Sequence, residues 1–260
     1  MTQISALGRV FREFFIAVKQ YLTVLGFIGK NQLSGYILKA ALMAFLTFSI
    51  ILVGAVVAGN ALHGMVGEID AVHFENELLN TILYWVTYLL IMLPLVFVTL
   101  LLYKSVFQAV LAPMLGKVVE KVLSVKTGRE IKPSISVGNS LKGFWKIALP
   151  NVFKELLLLG VLFVVGWVPL LTIVAGPLMF VVSSYFLGAS SLDLVNETLE
   201  VDFEERKKEA GRHFGYVLGN GAGFMLLFAI PILGTFTAPV ISVITAAMGY
   251  DKLNREDSSN

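Results

Sequence analysis

Residues 156–192 read LLLLGVLFVVGWVPLLTIVAGPLMFVVSSYFLGASSL, and residues 214–250 read FGYVLGNGAGFMLLFAIPILGTFTAPVISVITAAMGY. Each tract is 37 residues long and contains no Asp, Glu, Lys or Arg. A helix rises about 1.5 Å per residue, so one tract as a single helix would extend about 55 Å against a hydrocarbon core of roughly 30 Å. That is too long for one untilted span, and two equal halves leave nothing for a turn. Each tract is therefore expected to fold back on itself as a re-entrant or short-span helical hairpin. The tracts also share a pattern: Val168-Pro169-Leu170-Leu171 with Gly176-Pro177, and Ile230-Pro231-Ile232-Leu233 with Ala238-Pro239. Both prolines are displaced by 62 residues (169 to 231, 177 to 239), which predicts an internal repeat. The expected turn residues are Pro169, Gly176, Pro177, Pro231, Gly234 and Pro239. Non-helical backbone at membrane depth must be buried in protein or line a wet cavity, so these turns are expected to face each other or a partner subunit.

Two further charge-free tracts, 40–59 and 78–103, are each long enough for a membrane helix. Composition agrees: 57% of residues are hydrophobic and 15% charged, with a mean hydropathy of +0.80. Ordinary soluble domains carry roughly 25% charge, so water would not solvate such a surface. Nearly forty mixed residues precede the first span, which argues against a cleaved leader and predicts a mature chain beginning near Met1. There is no Cys, which excludes disulfides and thiolate chemistry. The net charge of +2, spread through loops, points away from nucleic acid.

The reading is thus an all-α integral membrane protein of one membrane domain. An amphipathic helix lies within residues 1–35, where Phe11, Phe14, Phe15, Val18, Tyr21, Leu22 and Leu25 form one stripe and Arg9, Arg12, Glu13, Lys19 and Gln20 the other side. Being basic and aromatic, it is expected in the bilayer interface. The first span is 36–59, then an acidic loop 60–77, then a second span 78–103 with Pro94 as a kink, continuing as an amphipathic helix to about residue 124 with a bend at Pro113. Residues 125–155 form a basic loop and helix, 156–192 the first hairpin, 193–213 a charged helix, 214–250 the second hairpin and 251–260 a tail.

Loop charge gives orientation. Residues 1–39 hold five Lys or Arg and one acid, residues 104–155 nine and three, and residues 60–77 none and four. The positive-inside rule places the N-terminus and 104–155 in the cytoplasm and 60–77 outside, in what is expected to be a bacterial inner membrane. If each hairpin returns to the side it left, the C-terminus is cytoplasmic too.

Several stretches carry a family resemblance: Val110-Leu111-Ala112-Pro113 running to Lys126-Thr127-Gly128, the segments Val168–Pro177 and Ile230–Pro239, and Asp193 followed by Phe203-Glu204-Glu205-Arg206. In order and spacing they resemble the CysZ sulfate permease family, which also contains the etoposide-induced membrane proteins. The resemblance implies two long spanning helices, two hemi-penetrating hairpins, oligomerisation and, in the bacterial branch, sulfate uptake for cysteine synthesis. It also implies an oxyanion site just before the first span, where bacterial permeases carry a Gly followed closely by two Arg. Here the stretch reads Gly29-Lys30-Asn31-Gln32-Leu33-Ser34-Gly35, with one cation and no Arg pair. A lysine does not reproduce a bidentate guanidinium fork.

Gly29, Lys30, Asn31 and Ser34 are accordingly the candidate anion site; the plainer alternative is a lysine that topology alone places beside a first span. Gly219-Asn220-Gly221-Ala222-Gly223 lacks dinucleotide-loop spacing and follows no strand. Gly219 and Gly223, four apart, are expected at a helix contact, with Asn220 there or on a polar path. Thr172, Ser183, Ser184, Thr235 and Thr237 either line a conduit or satisfy their own helix backbone. His63 and His73 with Glu68, Asp70, Glu75 and Glu77 match no metal-ligand spacing, and no metal or cofactor is expected. No catalytic set is visible, so an enzyme is not expected. The functional expectation is a permease or channel for sulfate or another small anion, as a homo-oligomer in the lipid bilayer. The alternatives are a non-transporting scaffold serving a membrane-protein partner, or a lipid-handling protein.

Overall fold

The computed structural model describes residues 2–67, 76–128, 142–231 and 233–257. Among them every element is helical: α1 (Thr2–Lys30), α2 (Ser34–Gly67), α3 (Glu77–Thr127), a π-helical turn (Phe144–Ala148), α4 (Leu149–Val165), α5 (Pro169–Thr198), α6 (Phe203–Arg212), α7 (Phe214–Phe228) and α8 (Leu233–Asp257). Glu68, Asp70, His73, Glu75 and the loop residues Pro133 and Gly138 lie outside the described residues. The chain divides into two compact units, Met1–Ala44 with Gln108–Asn260, and Phe45–Phe107.

In the smaller unit, limbs of α2 and α3 meet where Gly59 lies against the Met92 and Leu95 side chains. One step along, His63 stands edge-on to Tyr84 and Tyr88, 4.6 and 5.4 Å between ring centres. The Asn76 side chain starts α3 by accepting the Leu78 N–H at 2.9 Å. Ile50, Val53, Val57, Leu90 and Leu93 are exposed, an apolar surface far beyond what water tolerates on a monomer.

In the larger unit α8 is the buried centre, packed by α5, α7 and α1, while α4 packs on α5. Both long apolar tracts fold back. The first turns at Gly166, Trp167 and Val168; Val168 is extended (φ −83°, ψ 118°), as the residue before proline prefers, and Pro169 opens α5 where its missing N–H costs nothing. The second turns through Ala229, Ile230 and Pro231. The remaining expected turn residues require correction: Gly176 and Pro177 lie within α5, and Gly234 and Pro239 within α8. A proline inside a helix forfeits one hydrogen bond, whereas a chain reversal there would strand several backbone groups without water. The limbs also outrun the charge-free tracts, since α4 includes Lys154 and Glu155 and α5 includes Asp193 and Glu197. Five helices are long and apolar enough to cross a membrane: Ser34–Met65, Glu77–Val96, Trp145–Val165, Pro169–Thr198 and Leu233–Tyr250.

The charged segment 193–213 is not one helix. α5 ends at Thr198, Glu200 takes a left-handed conformation (φ 58°), and the Val201 N–H bonds back to the Asn196 carbonyl at 3.0 Å. Asp202 then caps α6, accepting the Glu204 N–H at 3.0 Å. Arg206 pins α6 to α5 with a two-pronged bond to Asp193, 2.8 Å on each prong, and a third to Glu197 at 3.0 Å. Arg206 is 5% exposed, so removing it leaves two poorly hydrated carboxylates side by side. Arg206→Ala is expected to destabilise the protein by about 3 kcal/mol, with Arg206→Lys recovering only part, read as unfolding midpoints in mild detergent.

Candidate functional site: a lysine-rimmed cleft beside a buried polar seam

Helix α1 is amphipathic, but two residues of its polar side, Glu13 and Gln20, turn into the protein beside Ala17, Val24 and Ile28, while Arg12 and Lys19 stay exposed. Glu13 and Gln20 are 1% and 5% exposed, whereas Phe15 and Leu22 are 64% and 82% exposed, with Phe11 and Leu25 also outward. The inward placement of Glu13 and Gln20 follows from what α7 offers. Gly215, Gly219 and Gly223 form a track on which α1 lies so closely that an added Cβ would meet the Val10 carbonyl at 2.1 Å, the Phe14 carbonyl at 2.7 Å and the Tyr21 ring at 2.4 Å. Polar groups of both helices are thereby brought together.

At one end His213 lies between two carboxylates: Nδ1 is 3.3 Å from Glu13 Oε1 and Nε2 is 3.5 Å from Glu209 Oε1. Arg9 also reaches Glu13 at 2.8 Å, and Arg212 reaches Glu209 at 3.1 Å. Burial pushes the Glu13 carboxyl up, but hydrogen bonds from His213 and Arg9 and their charges outweigh it, leaving it below the usual range. The Glu209 carboxyl is held below its usual range by the His213 hydrogen bond, against burial, with further help from the His213 and Arg212 charges.

Farther along, a polar seam runs through the core. Gln20 donates to Tyr216 Oη at 2.7 Å and to the Thr245 carbonyl at 3.1 Å, and accepts the Gly249 N–H at 3.1 Å. Tyr216 Oη donates to the Thr245 carbonyl at 2.7 Å. The Tyr21 hydroxyl donates to the Asn220 carbonyl at 2.9 Å, the Asn220 amide donates to Ser242 Oγ at 3.0 Å, and Ser242 meets Ser191 at 2.8 Å. Asn220 Oδ1 and Ser184 Oγ are buried with no protein partner.

Gln20 also lines a cleft of 710 Å³ between α1, the C-terminal turn of α3 and α8. Lys19, Lys30 and Lys126 rim it, and no carboxylate is among the described residues lining it. Lys126 Nζ stands 5.3 Å from the centre of the Phe27 ring.

Of the anion-site residues read from the sequence, Lys30 lines this cleft as the last residue of α1. Gly29 is exposed beside it, Asn31 donates to the Phe27 carbonyl at 2.8 Å, and Ser34 opens α2. Leu33, fully buried, anchors the turn between them, with Gln32 in a left-handed conformation (φ 55°). Thr172 lies at the first hairpin turn bonded to the Val168 carbonyl at 3.2 Å, and Thr237 bonds its own helix at Leu233 at 2.6 Å. Ser183 is buried in α5 and Thr235 partly buried in α8. None of these lines the cleft, and neither do Gly219, Asn220 or Gly223. Neither Lys19 nor Lys126 is among the site residues read from the sequence; Lys126 has a signal in its place in the last turn of α3, whereas Lys19 falls mid-helix without one. Among the described residues no cluster of three metal-ligating side chains occurs.

Five apolar helices, four of them largely uncovered by protein and the fifth, Leu233–Tyr250, mostly buried, define a helical integral membrane protein. The chain matches the family model described as Sulfate transporter CysZ/Etoposide-induced protein 2.4 over residues 20–239, and it belongs to that family. No curated protein matches it.

Because Glu13 and Glu209 titrate lower folded than unfolded, their contribution to stability is full above the unfolded carboxylate range, about pH 4.3, and is lost as pH falls through the lower folded values. The unfolding midpoint is expected to drop on acidification below about pH 4.3, and Glu13→Gln should flatten that drop while lowering the neutral-pH midpoint; a pH series of thermal melts measures both.

Proposed function

We propose that the protein is a permease or channel for sulfate or another small inorganic anion in a bacterial cytoplasmic membrane, working as a homo-oligomer. The family match over residues 20–239 is the observation that carries this reading. The anion is met at the α1–α2 turn. Lys30 supplies the charge, the open side of Gly29 leaves room, and α2 begins at Ser34 and Gly35, where unbonded N–H groups favour negative charge. A lysine is a point charge without a fork, so discrimination among oxyanions rests on size and charge more than on bond geometry.

The basic N-terminal and 104–155 segments lie on the cytoplasmic side, where they raise the local anion concentration. The first hairpin turn supports an oligomer: Trp167, Leu170 and Ile173 are 75–81% exposed, an apolar tip suited to a second copy or to lipid.

Reconstituted protein is expected to take up radiolabelled sulfate saturably, with thiosulfate and phosphate competing and chloride competing weakly. Lys30→Ala should lower the affinity by about tenfold, the worth of one charge-assisted bond. Uptake of no tested anion would remove the transport reading; undiminished uptake by Lys30→Ala would move the anion site elsewhere.

A further inference from the structure

We infer that the lysine-rimmed cleft binds one anionic phospholipid, its phosphate on the lysines and an acyl chain along α1. This goes beyond anion transport: it shares Lys30 with the proposed anion site, and its test rests on Lys19, Lys126 and Leu22, which that site does not use. The cleft is elongated: Lys19 and Lys30 are eleven residues apart on one helix, about 16 Å along its axis. A tetrahedral inorganic anion would fill only a small part of it, since 710 Å³ is many times the space such an ion needs.

The walls separate the two classes of ligand further. Ile16, Leu22, Phe27 and Met248 are apolar, and the polar wall groups are already engaged. The Thr23 hydroxyl bonds the Lys19 and Gln20 carbonyls at 3.2 and 3.1 Å, and the Gln20 amide is taken by Tyr216, Thr245 and Gly249. A small oxyanion entering this space would exchange its hydration shell for hydrocarbon, with only the lysines as donors. An amphiphile loses nothing by the same contact, because its chain gains apolar wall while its phosphate stays with the lysines of the rim, among whose described neighbours in the lining there is no carboxylate. The outward row of Leu22 and Leu25 on α1 continues the wall toward bulk acyl chains. Lys126 is held over the Phe27 ring, a contact that leaves its positive charge in place.

Native mass spectrometry of the full chain in mild detergent, titrated with phosphatidylglycerol or with phosphatidylcholine of the same chain length, tests this. One phosphatidylglycerol per chain is expected at concentrations where phosphatidylcholine does not bind. The Lys19→Ala/Lys126→Ala pair should weaken phosphatidylglycerol by about fivefold per lysine removed. Leu22→Asn, at an exposed position, should also weaken it with all lysines present. Unchanged melting of each variant confirms that the fold is intact. Equal binding of the two lipids, full affinity in the double-lysine variant or in Leu22→Asn, or displacement of the lipid by equimolar inorganic sulfate or phosphate would overturn the assignment. The last outcome would make the cleft a small-anion site.

Discussion

The approach of α1 to α7 over Gly215, Gly219 and Gly223 is the constraint on which the larger unit depends. Carbonyls of α1 lie where side chains of α7 would otherwise stand, so the two backbones touch as membrane helices do over small residues. What holds α1 is close packing together with polar groups paired on the hidden side. Glu13 reaches His213, Gln20 reaches Tyr216 and Tyr21 reaches the Asn220 carbonyl because the glycine track sets the distance and the register. A second contact of the same kind works on the far side of α7, where Gly221 lies against the Ser184 carbonyl and Gly188 against that of Val217.

This explains which part of α1 was legible in the sequence. Its periodicity shows at once in Phe11, Phe15, Leu22 and Leu25, and so does its basic, aromatic character. The direction of its polar side does not. Amphipathicity is ordinarily read with water outside, which sends Glu13 and Gln20 to solvent with Arg12 and Lys19, whereas here the first two are buried and only the second two stay exposed. Their partners stand 200 and 196 residues away along the chain, a separation that no local pattern encodes. Arg206 was hidden for a related reason. It sits in a run of charges that reads as a solvated helix, and only the return of α6 onto α5 makes it the counter-charge of Asp193 and Glu197.

The hairpins divide in the same way. That two long apolar tracts reverse direction follows from length alone, and the X-Pro steps at Val168-Pro169 and Ile230-Pro231 mark where. Gly176-Pro177 and the second proline at 239 carry the same residue types but sit inside helices. Local chemistry permits a turn at each, and the difference is the number of backbone groups a turn would leave bare at depth. Charged residues flanking the tracts set the expected hairpin limits, yet Lys154 and Asp193 continue the helices, as long or paired side chains can at an interface.

The basic residues carry the last distinction. Two adjacent arginines present forks to one compact oxyanion, and their spacing is matched to its size. Lysines on three separate turns, at 19 and 30 of α1 and at 126 of α3, present point charges across an extended face whose floor is hydrocarbon. Such an arrangement discriminates poorly among small anions, because point charges impose no bond geometry on them. It discriminates well between an acidic and a zwitterionic amphiphile, because the apolar contact is common to both and the charge is not. Forks at one point favour a compact oxyanion, whereas charges along a groove with an apolar floor favour an acidic amphiphile, and the two demands differ in geometry more than in charge.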